Sequence, residues 1–370
     1  MEGGEYYALH GFKWFSSATD SDMTLTLARV VHPEQGAVQG TKGLSLFYLP
    51  TRQSDGKLNG IQIVRLKNKL GTRQVPTAEL LLDGAMAEMI SEEGRGVACI
   101  SHMLNITRIH NAVASVAGMR TCVSLARDYS TRRAAFGHKL ADWPLHTATL
   151  RDMEVDTHGC FLLLMETARL LGLQEAGIAS KSQHTILRLL TPVLKLYTAK
   201  MSVWTISEGL EAFGGQGYIE DTGLPQMLRD AQVAPIWEGT TNILSLDILR
   251  HLSKEGSAVF QAFKADMEEK TAKSPRSLED GRRRLYQELD KVLDFVSKYP
   301  HLMEVAARDL GFSIAEIYIG ALLLEHASFP DSDASEIEVA HRWLHLKRLC
   351  YFKHTDFYSP EGEVMTRAKI

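Results

Sequence analysis

A change of period at residues 91–96, SEEGRG, constrains this chain more than any other stretch. Before it, apolar and polar residues alternate, the two-residue period of a half-buried strand. After it, apolar residues recur every three or four positions, the period of a helix buried along one face. YYALHG, KWFSS, MTLTLARVV, GLSLFYLP, NGIQIVRLK and AELLLDG are short runs separated by Gly, Asn and Asp turn material. They predict a small antiparallel β domain over 1–93, with Pro76 at an edge or in a loop. VACISHMLNITRIHNAVASVAGMRTCVSLARDYSTRR predicts a long helix ending near Ser130. A second long helix follows Pro144 and stops at Gly172 or Gly177. A third begins at ILRLL, with Pro192 near its first turns, and ends before a C-cap turn at Gly214 and Gly215. A short helix around PQMLRDAQV and another from about Asn242 complete an up-down four-helix bundle over 94–250. Residues 251–370 read as an all-helical extension, with a serine cap at Ser277 and a final amphipathic helix HRWLHLKRLCYF. The expected class is α+β, mainly α.

The 370 residues, 45% of them hydrophobic, suffice for two or three domains with a sizeable core. A formal net charge of -4 creates no field that draws the whole molecule to nucleic acid or an anionic membrane. No apolar stretch approaches the roughly 18 residues of a membrane helix. Cys99, Cys122, Cys160 and Cys350 have no CxxC spacing, which fits a reducing compartment, cytoplasm or mitochondrion, and neither disulfides nor structural zinc. His102, His110, His138, His146 and His158 show no metal spacing, so no metal is expected. The N-terminus resembles neither a signal nor a transit peptide. Strand material begins almost at once, which leads one to expect a truncated or alternative start.

The chemistry-bearing residues concentrate in 207–250. Gly214, Gly215 and Gly217 of FGGQG allow a ligand close to the backbone and offer unblocked N–H groups, or they simply stop a helix. The spacing is not the dinucleotide fingerprint, because it follows a helix. Glu238, beside Trp237 at an element junction, is a candidate general base or a helix-start glutamate, with Thr240 or Thr241 as the cap. Arg132 and Arg133, just past a helix end, suit phosphate. Arg108, on or near an apolar helix face, requires an anion. Trp14 and Ser16 place a ring and a hydroxyl on a strand, fit for a flat cofactor, though a core tryptophan reads equally well.

GFKWFSS, KLGTRQVPTAELLLDG, EEGRGV, MLNITRIHNAVASVAG, DYSTRRAAFGHKLADWPLHTATLRDME, EAFGGQGY, MLRDAQVAPIWEGTTNI and LDILR occur in that order between about residues 11 and 250. Together they resemble the acyl-CoA dehydrogenase family, and most closely its AidB-like (adaptive-response) branch. The resemblance implies a homodimer or homotetramer that binds FAD and an acyl-CoA thioester. It implies Glu238 as the base that removes the α proton while hydride passes from the β carbon to flavin N5. Trp14 and Ser16 match positions touching the isoalloxazine. Arg133 and Phe136 match positions that reach the FAD of a neighbouring subunit. Gly214 and Gly215 match the backbone beside the adenosine part, and Thr240 and Asn242 match positions near FAD. Arg108 and Gly239 match positions at the acyl-CoA.

Three departures from the family pattern bear on function. Glu211 replaces a glutamine that donates to FAD, Ala135 replaces a polar contact, and the amino-terminal helical domain is expected to be lacking. The competing expectation is a non-catalytic flavoprotein relative that binds lipid, protein or DNA, the last against the evidence of the net charge.

Overall fold

A computed structural model of the chain describes residues 6–358, which fall into two compact units divided between Ile106 and Thr107. The first holds the strands β1 (Tyr6–Ser16), β2 (Met23–Arg29), β3 (Val31–His32), β4 (Gly36–Ala37), β5 (Leu44–Pro50), β6 (Ile61–Leu66) and β7 (Ala78–Met89). The main sheet runs β1-β7-β5-β2, with β6 also pairing β7, and every pairing is antiparallel. Alternation puts Leu9, Phe47, Leu49, Ile61, Leu82, Ala85 and Ala87 into one small core. Phe12, Trp14, Phe15, Ile63, Val64 and Leu66 remain exposed. Trp14 is therefore no core tryptophan: it is 58% exposed, with the Lys67 ammonium 3.3 Å from its ring centroid.

Helix α1 (Gly96–Arg132) starts where the period changes and runs two residues past the expected end. A hairpin of β8 (Ala134–Ala135) and β9 (His138–Lys139) follows, then α2 (Pro144–Glu175), with proline in its first turn. Gly172 lies inside α2, and the chain turns at Gly177 with φ 70°. Helix α3 (Lys181–Ala212) begins five residues earlier than its apolar periodicity predicts, because Ser180 and Gln183 form a reciprocal capping box. Pro192 consequently sits in the helix interior rather than near the first turns.

The remaining helices are α4 (Leu224–Ala231), α5 (Thr241–Glu255), α6 (Ser257–Thr271), α7 (Glu279–Lys298), α8 (Ala307–His326) and α9 (Ala334–Leu346). Two further expectations are corrected here. Leu278, not Ser277, occupies the N-cap position of α7, after a short 3-10 turn. The last helix stops at Leu346 instead of running through RLCYF, and the Lys347 N–H bonds back to the Trp343 carbonyl.

α3 and α8 are the two central helices of the second unit, both apolar on most sides. α8 packs against α2, α3, α5, α6, α7 and α9. One hydrophobic core runs from Ile109 through Leu189, Val193 and Tyr197 to Leu310, Trp343 and Tyr358. Buried hydroxyls on α3 are satisfied within the helix: Thr191 and Thr198 each donate to a carbonyl one turn back at 2.8 Å. Among the described residues no helix is long and apolar enough to cross a membrane.

Candidate active site

The loop before α5 carries Glu238 in an unusual backbone state. Glu238 has φ 57° and Gly239 has φ 98°. A left-handed residue that is not glycine costs about 1–2 kcal/mol, so surrounding bonds must hold it. Two buried side chains do so from neighbouring helices. Asn111 on α1 donates to the Ala234 carbonyl at 3.1 Å, and Lys195 on α3 donates to the Gly239 carbonyl at 2.6 Å. The Glu238 carboxylate then faces α1, where the Thr107 hydroxyl donates to it at 2.7 Å.

Lys195 is fully buried. Burial pushes its ammonium down to about 8; the nearby Glu238 carboxylate opposes that shift and the Arg108 guanidinium adds to it. The anion that Arg108 requires is Asp247 of α5, at 2.9 Å. The Arg108 Nε is buried without a partner among the described residues. Glu238 and Gly239 are thus bonded to Thr107 and Lys195, with Arg108 close enough to act on the Lys195 charge.

A second group lies elsewhere on the same unit. A groove of about 560 Å³ is lined by Leu125, Tyr129, Arg132, Arg133, Phe213, Gln216, Thr222 and Leu224; Glu238 is not on its wall. Arg132 is tied to Asp128. Gly214, with φ 59°, follows the end of α3 as the C-cap turn. A side chain built on Gly214 or Gly215 would meet nothing within 4 Å, so this stretch of backbone is open to a neighbouring group. Phe136 stands at the tip of the β8–β9 hairpin, followed by Gly137, both left-handed (φ 54° and 87°) as in a two-residue hairpin turn. Phe136 is 92% exposed.

The other candidates are placed differently. Thr240 occupies the N-cap of α5, but its side chain accepts no capping bond. The Asn242 side-chain oxygen accepts from Arg308 of α8 at 3.1 Å. In the first unit, Ser16 ends β1 opposite Ala78. Sequence reasoning misses Thr107, Asn111, Lys195 and Asp247. Asn111 and Lys195 sit in helical runs whose neighbours are apolar, and that flanking is the one signal that could have marked them as buried and functional.

Three stretches match acyl-CoA dehydrogenase domains. Residues 1–85 match the middle domain, 94–253 the C-terminal domain, and 258–366 the acyl-CoA dehydrogenase 11 C-terminal domain-like family. The chain belongs to the acyl-CoA dehydrogenase family. Within it, the chain is 57% identical over 348 residues to acyl-CoA dehydrogenase family member 11 of Caenorhabditis elegans, covering 91% of this chain and 56% of that protein. The crystal structure of C. elegans ACDH-11 in complex with C11-CoA superposes with a TM-score of 0.92 at 53% identity, over 95% of this chain and 61% of that one. Identity to the putative acyl-CoA dehydrogenase AidB of Escherichia coli is 33% over 334 residues, 90% of this chain and 57% of that protein. The chain spans a little over half the length of these curated relatives.

The expected AidB-like branch is thereby overturned in favour of an acyl-CoA dehydrogenase 11-like one, on the higher identity and on the match of the tail. The motifs that carried the resemblance lie in the β domain and bundle, which the whole family shares. The helical extension, where sequence patterns are least specific, is the stretch that matches the acyl-CoA dehydrogenase 11 C-terminal domain-like family.

Proposed function

We propose that the chain carries an FAD-dependent acyl-CoA dehydrogenase site with Glu238 as the base for the α proton of an acyl-CoA thioester. The observation that supports this most is the Glu238 loop. A carboxylate is held on a left-handed turn by Lys195 and Asn111, with Thr107 donating to it. Three domains at 1–93, 94–250 and 251–370 accompany this reading.

FAD fits the residues present. The open backbone at Gly214 and Gly215 lies in the turn whose Phe213 and Gln216 line the groove, with Arg132 and Arg133 on the same wall to meet phosphate. When bound, FAD supplies the acceptor for the hydride that leaves the β carbon. Gly214, Gly215, Thr240 and Asn242 would hold it, Arg133 and the exposed Phe136 would reach the FAD of a second copy in a homodimer or homotetramer, and Trp14 and Ser16 on the first unit are the positions proposed to touch an isoalloxazine ring.

The chain's own residues handle the proton and the thioester. Thr107 fixes one Glu238 oxygen by donating to it and leaves the other for the α proton. Lys195 keeps a positive charge near Glu238 below about pH 8. The Glu238 N–H, set by the left-handed turn, is the donor proposed for the thioester oxygen as negative charge develops on it. Arg108, neutralised by Asp247, and Gly239 line the acyl-CoA side.

Reconstitution with FAD, followed by anaerobic addition of acyl-CoAs of graded length, tests the reading. The flavin absorbance should bleach in the wild type. Glu238→Gln should retain FAD and lose bleaching by a factor of about 10²–10⁴. A folded chain that takes up no FAD sinks the proposal and leaves a non-catalytic binding module.

A further inference from the structure

Among the described residues, three helices bring together His158 (α2), His326 (α8) and Glu336 (α9), none of which bonds to the Glu238 group. Their ligand atoms all lie within 4.8 Å of one another. The His158 Nε2 and the His326 Nδ1 stand 3.3 Å and 3.0 Å from the same oxygen, Glu336 Oε2. Ligands about 2.1 Å from a tetrahedral ion stand about 3.4 Å apart, so these separations are close to those of an ion's coordination edge.

The groups are half-buried and rigidly mounted. Beside His158, a side chain built on Gly159 would meet Trp343 at 2.6 Å and Ile319 at 2.7 Å; this is a close approach of α2 to both other helices. The backbone N–H of Glu336 donates to the capping Asp333 side chain. The His326 ring packs edge-on against Phe329 and against His158, with centroids 5.5 Å apart in each pair. Besides Glu336 and His326, the charged groups acting on His158 are Glu154 and Arg120, which are bonded to each other.

We propose that His158, His326 and Glu336 form a three-ligand zinc site that clamps α9 and α8 to α2. Two imidazoles and one carboxylate suit zinc and other first-row divalent ions, and not magnesium or calcium. The partial exposure of all three leaves the fourth position to water. The site escapes sequence patterns because each ligand comes from a different helix and no two share a close spacing.

Zinc titration of the chelator-treated full chain, followed by calorimetry and thermal unfolding, tests this. The expected result is one zinc per chain, with magnesium inert and the melting temperature raised. Affinity should fall at least about tenfold in His326→Ala and in the isosteric Glu336→Gln. His341→Ala is the control, because His341 and His345 form a separate ring pair on α9 that could also attract the ion. Cobalt in place of zinc should give the intense visible bands of a four-coordinate site, lost in Glu336→Gln. Absence of stoichiometric zinc binding overturns the proposal, as does binding lost only in His341→Ala; the triad is then held by hydrogen bonds alone.

Discussion

The sheet of the first unit and the helices of the second place their apolar side chains in opposite ways. The sheet buries seven residues in its own core and leaves Phe12, Trp14, Phe15, Ile63, Val64 and Leu66 exposed. The helical unit fills one core from Ile109 to Tyr358, and its Trp343 is fully buried with the indole N–H donating to the Glu316 carbonyl at 3.0 Å. The contrast extends to charge. Lys67 lies over an exposed tryptophan ring in the sheet, whereas Lys195 and Glu316 sit deep among helices, where every unpaired atom is costly. Phe12, Trp14 and Phe15 of the sheet are thus exposed to whatever meets that face, while aromatic residues between helices hold the unit together.

The largest expected effect comes from removing one tryptophan from each region. Trp343→Ala should destabilise the helical unit by about 3–5 kcal/mol in urea unfolding, and Trp14→Ala should stay within about 0.5–1 kcal/mol. Equal losses would break the comparison.

Next in size is a pH effect seated in the helical core. Burial pushes the Glu316 carboxyl up to about 7, although the hydroxyls of Tyr197 and Tyr351 donate to it at 2.8 and 3.1 Å. A carboxyl whose folded pKa lies above its unfolded value of 4.5 holds its proton longer in the folded state. Its contribution to stability is full below about pH 4.5 and is lost as pH rises through about 7. Glu316→Gln should therefore gain stability relative to wild type between pH 5 and 8, on the order of 3 kcal/mol at most. Thermal melts across that range measure it, and a pH-independent difference would reject the assignment.

The smallest effect concerns the loop that carries Glu238. Lys195→Met leaves the Gly239 carbonyl without its donor and should cost about 1–3 kcal/mol. It should also slow flavin bleaching while FAD is retained. Unchanged bleaching would mean that the loop keeps its left-handed turn without Lys195.

Much of this is legible in the sequence, because strands and long helices announce themselves by period. The start of α3 is not, since KSQHT has no apolar rhythm and the Ser180–Gln183 box alone marks it. Pro192 misleads for the same reason: proline favours a first turn, yet packing on every side of α3 outweighs its missing N–H. At the site, Glu238 and the glycines are readable from local composition. Lys195 and Asp247 are not, because their partners lie far along the chain and a lysine in a helix ordinarily points to water. The branch of the family is hidden for a related reason, since the apolar stripes of the extension look like any helical core.

The shared core also sets a timetable for synthesis. The α8 glycine Gly311 packs against Leu196 of α3 and Ile248 of α5, so the helices bearing the Glu238 loop meet part of their core in a segment made later. Translation from α5 to the end of α9 takes roughly 5–20 s at ordinary rates of 5–20 residues per second. Until α8 has been made, the sides of Leu196 and Ile248 that face Gly311 lack that covering.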